Sequence, residues 1–286
     1  MRKIYFYLLV ATVLLGVTAC SLFSPLISNP TPTRPPVIVT LTHKQATPTP
    51  TLGGREVPPT PTKGPTLSPE QFKTCMSALP VDMPATVKQM ANGAAQGALP
   101  LVACDNFIDN SNGWSVGSWN GTYVQGVESL KDGVLGLKGV SADGGVWYDF
   151  PQASPNMSDF TLVIDARILN SPAATQVGIF YRYDGDNFYM ASVSATMYEF
   201  YLFQNGDWVK LLDATPFPAS FDDSTKPGWI TLEVKGDTHT LYFNNERVDS
   251  IQDNRLTFGN VGVGIELDSG SVQTTVEFYH FILRGE

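Results

Sequence analysis

The residues of this chain that could do chemistry fall into small groups, and their spacing already limits what each can do. Glu266 and Asp268 alternate as Glu266-Leu267-Asp268. On a strand they project from one face, the placement that paired-carboxylate hydrolysis uses. Solvated charges at a strand end are the plainer expectation. His43, His239 and His280 are scattered and form neither H-x-H nor C-x-x-C spacing with any cysteine, so no metal site is expected. Asp105 and Asp109 together fall short of the six or more oxygens that calcium takes, so they are expected to cap turns and no cofactor is expected. Serine, histidine and aspartate are present, but no nucleophile motif orders them.

Aromatic side chains give a stronger signal. All five Trp, nine of the 11 Tyr and 13 of the 16 Phe lie after residue 104, which places the main core there. Apolar residues alternate in short runs separated by turn signals, the pattern of a β-sandwich. The runs are Phe160 to Ala166, Gln176 to Tyr183, Phe188 to Ser194, Tyr198 to Phe203, Trp229 to Lys235, Thr240 to Phe243, Arg247 to Ile251, Val261 to Leu267 and Thr275 to Leu283. Asn205-Gly206 marks a tight hairpin. With Ile179, Tyr181 and Tyr183 pointing inward, Phe180 and Arg182 point out. The same alternation sends Met190, Glu199 and Tyr201 to that outer face. Phe180, Arg182, Met190, Glu199 and Tyr201 are therefore the expected ligand-binding residues: aromatic faces for sugar C–H groups, with Arg and Glu to orient hydroxyls. The same alternation also fits a face covered by loops or by another sheet.

These runs resemble the concanavalin A-like lectin/glucanase superfamily. The likeness is carried by Asp105-Asn106-Phe107 with Asn112-Gly113-Trp114, by Gly178 to Tyr183 with Asn187-Phe188-Tyr189, by Trp229 to Val234 with Leu241 to Asn245, and by Gly259 to Gly264. It spans nearly all of 105–286. It implies an all-β, two-sheet antiparallel jelly roll of the kind used by laminin-G-like modules, legume-type lectins, glucanases and 3-keto-disaccharide hydrolases. It also implies that the face holding Phe180 is the concave ligand face. The glucanases carry E-x-D-x-x-E on one strand. Here Glu266 to Ser271 lacks the third carboxylate and falls in another part of the domain.

The N-terminal part has a different character. Arg2 and Lys3 precede an apolar run from Ile4 to Ala19, too short for a comfortable membrane span. Val17-Thr18-Ala19-Cys20 resembles the lipobox of bacterial lipoproteins, which implies removal of 1–19 and a lipid on Cys20. Residues 20–67 are Pro/Thr-rich, with eleven of the 21 prolines between Pro25 and Thr66. An extended, unpacked tether is expected there. Residues 68–104 should hold a short helix opened by Ser68-Pro69-Glu70-Gln71, with an Ala-rich stretch after it. Cys75 and Cys104 are expected to pair in an exported chain, free thiols being the alternative.

Charge narrows the partners. Residues 105–286 carry 10 Lys and Arg against 24 Asp and Glu. So acidic a body repels phosphate backbones, which excludes nucleic acid. The expectation is a lipid-anchored, extracytoplasmic, non-catalytic sandwich that binds carbohydrate or a cell-envelope polymer. A glycoside-active enzyme and a protein-interaction module are the alternatives.

Overall fold

The computed structural model describes residues 68–286 except Ala78, Asp82, 94–98, Ala153, 170–174, 218–227 and Asn245. Cys20 and the Pro/Thr-rich stretch lie outside the described residues. Among the described residues, two helices, α1 (Pro69–Ser77) and α2 (Ala85–Asn92), precede thirteen strands. These are β1 (Leu101–Asp105), β2 (Gly117–Asn120), β3 (Val124–Lys131), β4 (Val134–Asp149), β5 (Phe160–Leu169), β6 (Thr175–Tyr183), β7 (Phe188–Val193), β8 (Met197–Gln204), β9 (Asp207–Pro216), β10 (Gly228–Lys235), β11 (Thr238–Phe243), β12 (Glu246–Gln252) and β13 (Asn260–Gly285). β1 begins inside the stretch that sequence assigned to the helical segment.

The strands form an antiparallel sandwich of two layers that share β13 and β4. The first half of β13 pairs with β6, and its second half with β5 and β1. β4 follows β13 along both halves, with the register shifting between Ser271 and Thr274. The front sheet is the second half of β4, the first half of β13, then β6, β7, β8 and β9. The back sheet runs β12, β11, β10, β5 and the second half of β13, continued by β1 and by β4, β3 and β2. Alternate residues from each layer make the core: Ile179, Tyr181, Ala191, Phe200 and Ile265 from the front, and Leu162, Ile164, Leu232, Leu241 and Phe281 from the back. The register follows from period-2 alternation, since a one-residue slip would move every one of these side chains to the opposite face of its sheet.

The outer side of the back sheet is covered by the helices. Leu79, Met83, Val87 and Ala91 pack on Val163, Trp229 and Ile282. Ser68 and Gln71 exchange capping-box hydrogen bonds at the start of α1. Cys75 and Cys104 are disulfide-bonded, with Cα atoms 6.0 Å apart. Arg284 donates to Ala91 O at 2.8 Å and to Leu99 O at 2.7 Å, tying the end of α2 to β13. Asp105 organises the loop after β1. It accepts from Phe107 N, Asn112 Nδ2 and Trp114 Nε1, each at 2.7 Å. Its lone pairs are thus used within the chain, and Asp109 caps Ser111. Among the described residues no group of three or more His, Cys, Asp or Glu is placed to hold a metal.

Two buried polar groups bridge the layers. At the β2–β3 side, Trp119 from the back sheet stacks on Trp147 from the front, with centroids 4.2 Å apart. Trp147 Nε1 donates to Glu128 at 3.3 Å, while Asp149 accepts from Ser115 N at 2.6 Å. Burial, then the Asp149 charge, pushes the Glu128 carboxyl up to about 9. At the opposite side His239 meets Tyr181 at 3.0 Å through Nδ1 and Arg182 at 3.4 Å through Nε2. A guanidinium only donates, so Nε2 accepts and the ring proton sits on Nδ1. Burial, then the Arg182 charge, depresses His239 to about 4.

These two groups set opposite limits on stability. His239 titrates near 6.5 when unfolded and at about 4 in the fold. Between those values the unfolded chain binds more protons, so acidification from neutrality lowers stability. Glu128 goes the other way. Its proton leaves near 4.5 in the unfolded chain and at about 9 in the fold, so stability falls as pH rises through that window. The windows overlap between about 4.5 and 6.5, where the two contributions oppose, so urea midpoints should fall more steeply with rising pH in His239→Gln over that range and should lose their fall between about 6.5 and 9 in Glu128→Gln. A wild-type slope unchanged in both variants would refute the assignment.

Candidate functional site

The outer face of the front sheet carries the candidate site. Its floor is glycine. Gly262 and Gly264 on β13 pair with Phe180 and Gly178 on β6. A Cβ on Gly178 or Gly264 would lie 2.5 or 2.6 Å from the Phe180 ring, and one on Gly262 would lie 2.5 Å from the Phe150 ring. The missing side chains let both rings lie down against the sheet. Phe180, Phe188 and Met190 form the buried centre of this face, with Val146, Tyr148, Phe150, Tyr183, Tyr201, Phe203 and Trp208 packed around it.

The aromatics form a ladder that crosses the strands. Ring centroids are 5.1 Å apart from Trp208 to Phe203, then 5.2 Å to Phe188, 6.3 Å to Tyr183, 4.7 Å to Phe150 and 5.5 Å to Tyr148. The ladder thus runs from β9 across β8, β7 and β6 to the end of β4. Phe188 is buried and the other five rings are half-buried. The register of the β8–β9 hairpin places Trp208. Asn205 and Gly206 take φ of 57° and 87°, a two-residue turn with both residues left-handed, which sets Trp208 opposite Phe203.

Beside the ladder lies a polar strip. Ser192 Oγ is 3.0 Å from Gln176 Oε1 and hydrogen-bonds Glu266. Ser192 pairs across the strands with Glu199. Glu199 accepts from Tyr201 Oη at 2.5 Å and from Lys210 Nζ at 3.3 Å. Lys210 also sits 5.2 Å over the Tyr201 ring. Glu266 is therefore on the sheet face, which corrects its expected place as a solvated strand-end charge.

Four of the five expected residues share this face. Phe180, Met190 and Glu199 are buried in it, and Tyr201 is half-buried. Arg182 is not on it. With φ at 50° it leaves the strand alternation and turns into the sandwich, 2% exposed. It donates to Leu256 O at 2.8 Å, Ser158 O at 3.0 Å and Gly236 O at 2.6 Å. Tyr183, expected inside, is turned out into the ladder by the same backbone kink. Tyr148, Phe150, Tyr183 and Trp208 were not among the expected residues. The Asn205-Gly206 turn already pointed to Trp208, whereas nothing in the local sequence marks the kink at Arg182.

No protein-family model and no curated protein matches the sequence. Solved structures similar to the sandwich include the carbohydrate-binding module CBM66 from Bacillus subtilis, 22% identical, with 60% of this chain and 96% of the module covered at a TM-score of 0.44. A β-glucanase from Bacillus licheniformis is 11% identical over 67% of this chain and all of that one, at a TM-score of 0.46. A protein with a galectin-like fold from Bacillus subtilis is 14% identical over 67% and 97%, also at 0.46. They assign no residue of this chain a role.

The placement of Arg182 has a direct test. Arg182→Met keeps length but leaves one buried and two part-buried carbonyls without this donor, so it should destabilise the domain by about 1–3 kcal/mol in chemical denaturation. A variant as stable as wild type would return Arg182 to the ligand face.

Proposed function

We propose that residues 105–286 form a non-catalytic carbohydrate-binding module, displayed on the outer side of a membrane by a lipid on Cys20. The observation that carries the binding assignment is the aromatic ladder. Five half-buried rings in continuous contact form a contiguous apolar surface, and surfaces of that kind mark binding sites. Flat rings offer the C–H faces of sugars a matching area, and the adjacent carboxylates and amide oxygen accept from hydroxyl groups. The binding face and the tethered N-terminal side are on opposite layers. The helices occupy the outer side of the back sheet, which leaves the ladder facing away from them.

The pairing of Glu199 with Glu266 does not suit hydrolysis. Glu266 on β13 and Glu199 on β8 are separated by β6 and β7. At ~4.8 Å per strand their backbones are roughly 14 Å apart. Glu266 leans to Ser192, but Glu199 turns away toward Lys210 on β9. Glycosidases hold their two carboxyl groups ~5–9.5 Å apart across the scissile bond.

Trp208→Ala and Tyr183→Ala should each weaken glycan binding by ~1–3 kcal/mol while the fold survives. Phe180→Ala should also cost ~3–5 kcal/mol of stability, because that ring is fully buried. Wild-type protein that binds nothing on a broad glycan panel, or a Trp208→Ala variant that binds as wild type does, would overturn the assignment.

The anchor is tested separately. Cys20→Ala should accumulate as an uncleaved precursor, and the wild-type N-terminal peptide should carry the mass of acyl chains. Cleavage after Ala19 and release of the Cys20→Ala protein would remove the anchor.

A further inference from the structure

We infer that the front face selects uncharged glycans and excludes polyanionic ones such as uronate or sulfated polymers. This rests on the carbohydrate-binding assignment and narrows its ligand class. Among the described residues, the face carries three carboxylates, Glu199, Glu266 and Asp268, against one cation, Lys210. Glu266 and Asp268 alternate with the inward-facing Leu267 on β13, so both belong to the outer side. Lys210 is already committed. It is 3.3 Å from Glu199 and 3.9 Å from Asp213. A polyanion docking along the ladder would meet those carboxylates, with the charge of that lysine already compensated on the protein.

Recognition of carboxylate or sulfate groups calls for arginine forks or clustered lysines. Arg182 was the arginine that sequence alternation placed on this face, there to orient hydroxyls. The structure instead spends it on three backbone carbonyls inside the sandwich. Among the described residues the hydrogen-bonding side chains on the face are rich in acceptor oxygens. Tyr201 gives its proton to Glu199, and Ser192 lies among Glu266 and Gln176 oxygens. An acceptor-rich strip beside flat rings suits a ligand that brings its own donors and no negative charge. Neutral sugar hydroxyls and N-acetyl amide groups meet both conditions. The rest of the domain reinforces the choice, since its 24 Asp and Glu outnumber 10 Lys and Arg and oppose the approach of any polyanion.

The test is affinity electrophoresis of the full chain in gels containing single polysaccharides. Neutral probes are a β-glucan, xylan, mannan and a soluble chitin derivative. Acidic probes are polygalacturonate, alginate and heparin. At least one neutral probe should retard the protein, with every acidic probe at least tenfold weaker. The charge-reversed Asp268→Lys variant should gain several-fold toward acidic probes. Preference of the wild type for an acidic polymer, or an Asp268→Lys variant that gains nothing toward acidic probes, would overturn the inference and leave carbohydrate binding standing. No retardation by any probe would overturn carbohydrate binding itself, and this inference with it.

Discussion

A single buried guanidinium holds one end of the sandwich together. Arg182 sits between the layers with no carboxylate in direct contact. Burial lowers its pKa, while the charges of Tyr181, Tyr189, Asp159 and Asp237 act against that. A charge so placed needs most of its donors used; Nη1 and Nη2 are used, while the buried Nε has no partner among the described residues. Ser158 precedes β5, Gly236 turns β10 into β11, and Leu256 lies between β12 and β13. One side chain from the front sheet thereby fastens three connections of the back sheet. The required backbone is itself costly. A left-handed non-glycine residue gives up ~1–2 kcal/mol, and the neighbouring strand must clear it. Gly259 does so: a Cβ there would lie 2.3 Å from the Arg182 carbonyl carbon.

The same kink shapes the opposite surface. Had alternation continued, Tyr183 would have entered the core and the face would have lost one ring, leaving Tyr148 to link Phe188 and Phe150 at 5.4 and 5.5 Å. Turning Arg182 in turns Tyr183 out, where it stands 4.7 Å from Phe150 and 6.3 Å from Phe188. The buried bridge inside and an added ring on the face are thus two results of one backbone choice. The other buried bridges serve different edges. Trp119 on Trp147 closes the β2–β3 side, and the helical pad with its disulfide seals the back. The front face is left to its aromatic side chains.

How much of this was legible in sequence depended on whether the information was local. Period-2 alternation located β5 to β8 and β10 to β12 because each carries its own pattern, but it read β13 as two runs and did not include β9. Ser68 and Gln71 announced α1, and Asn205-Gly206 announced a hairpin, since capping and turn chemistry act over a few residues. The strands from Leu101 to Asp149 were harder to see. β3 and β4 contain Gly126, Gly136, Gly139, Gly144 and Gly145, so side-chain alternation is thin, and pairing with β13 supplies the order. Four of the five face residues followed from alternation. Arg182 did not, because its partners lie 24 to 74 residues away along the chain and only the closed sandwich brings them together.

The glycine floor explains why this face can be aromatic without being sealed. Phe180 and Phe150 standing upright would fill the hollow of a curved sheet. Lying over Gly178, Gly264 and Gly262, they pave it. The paving also costs the face its polar options on β13 and β6, where glycine offers no hydrogen-bonding side chain. Polar groups are therefore pushed to one side, into the strip of Gln176, Ser192, Glu199 and Glu266. A ligand on this surface meets rings along one edge and acceptors along the other. That division favours a ligand with a distinct apolar side and a distinct hydroxylated side, which is how a pyranose chain presents itself.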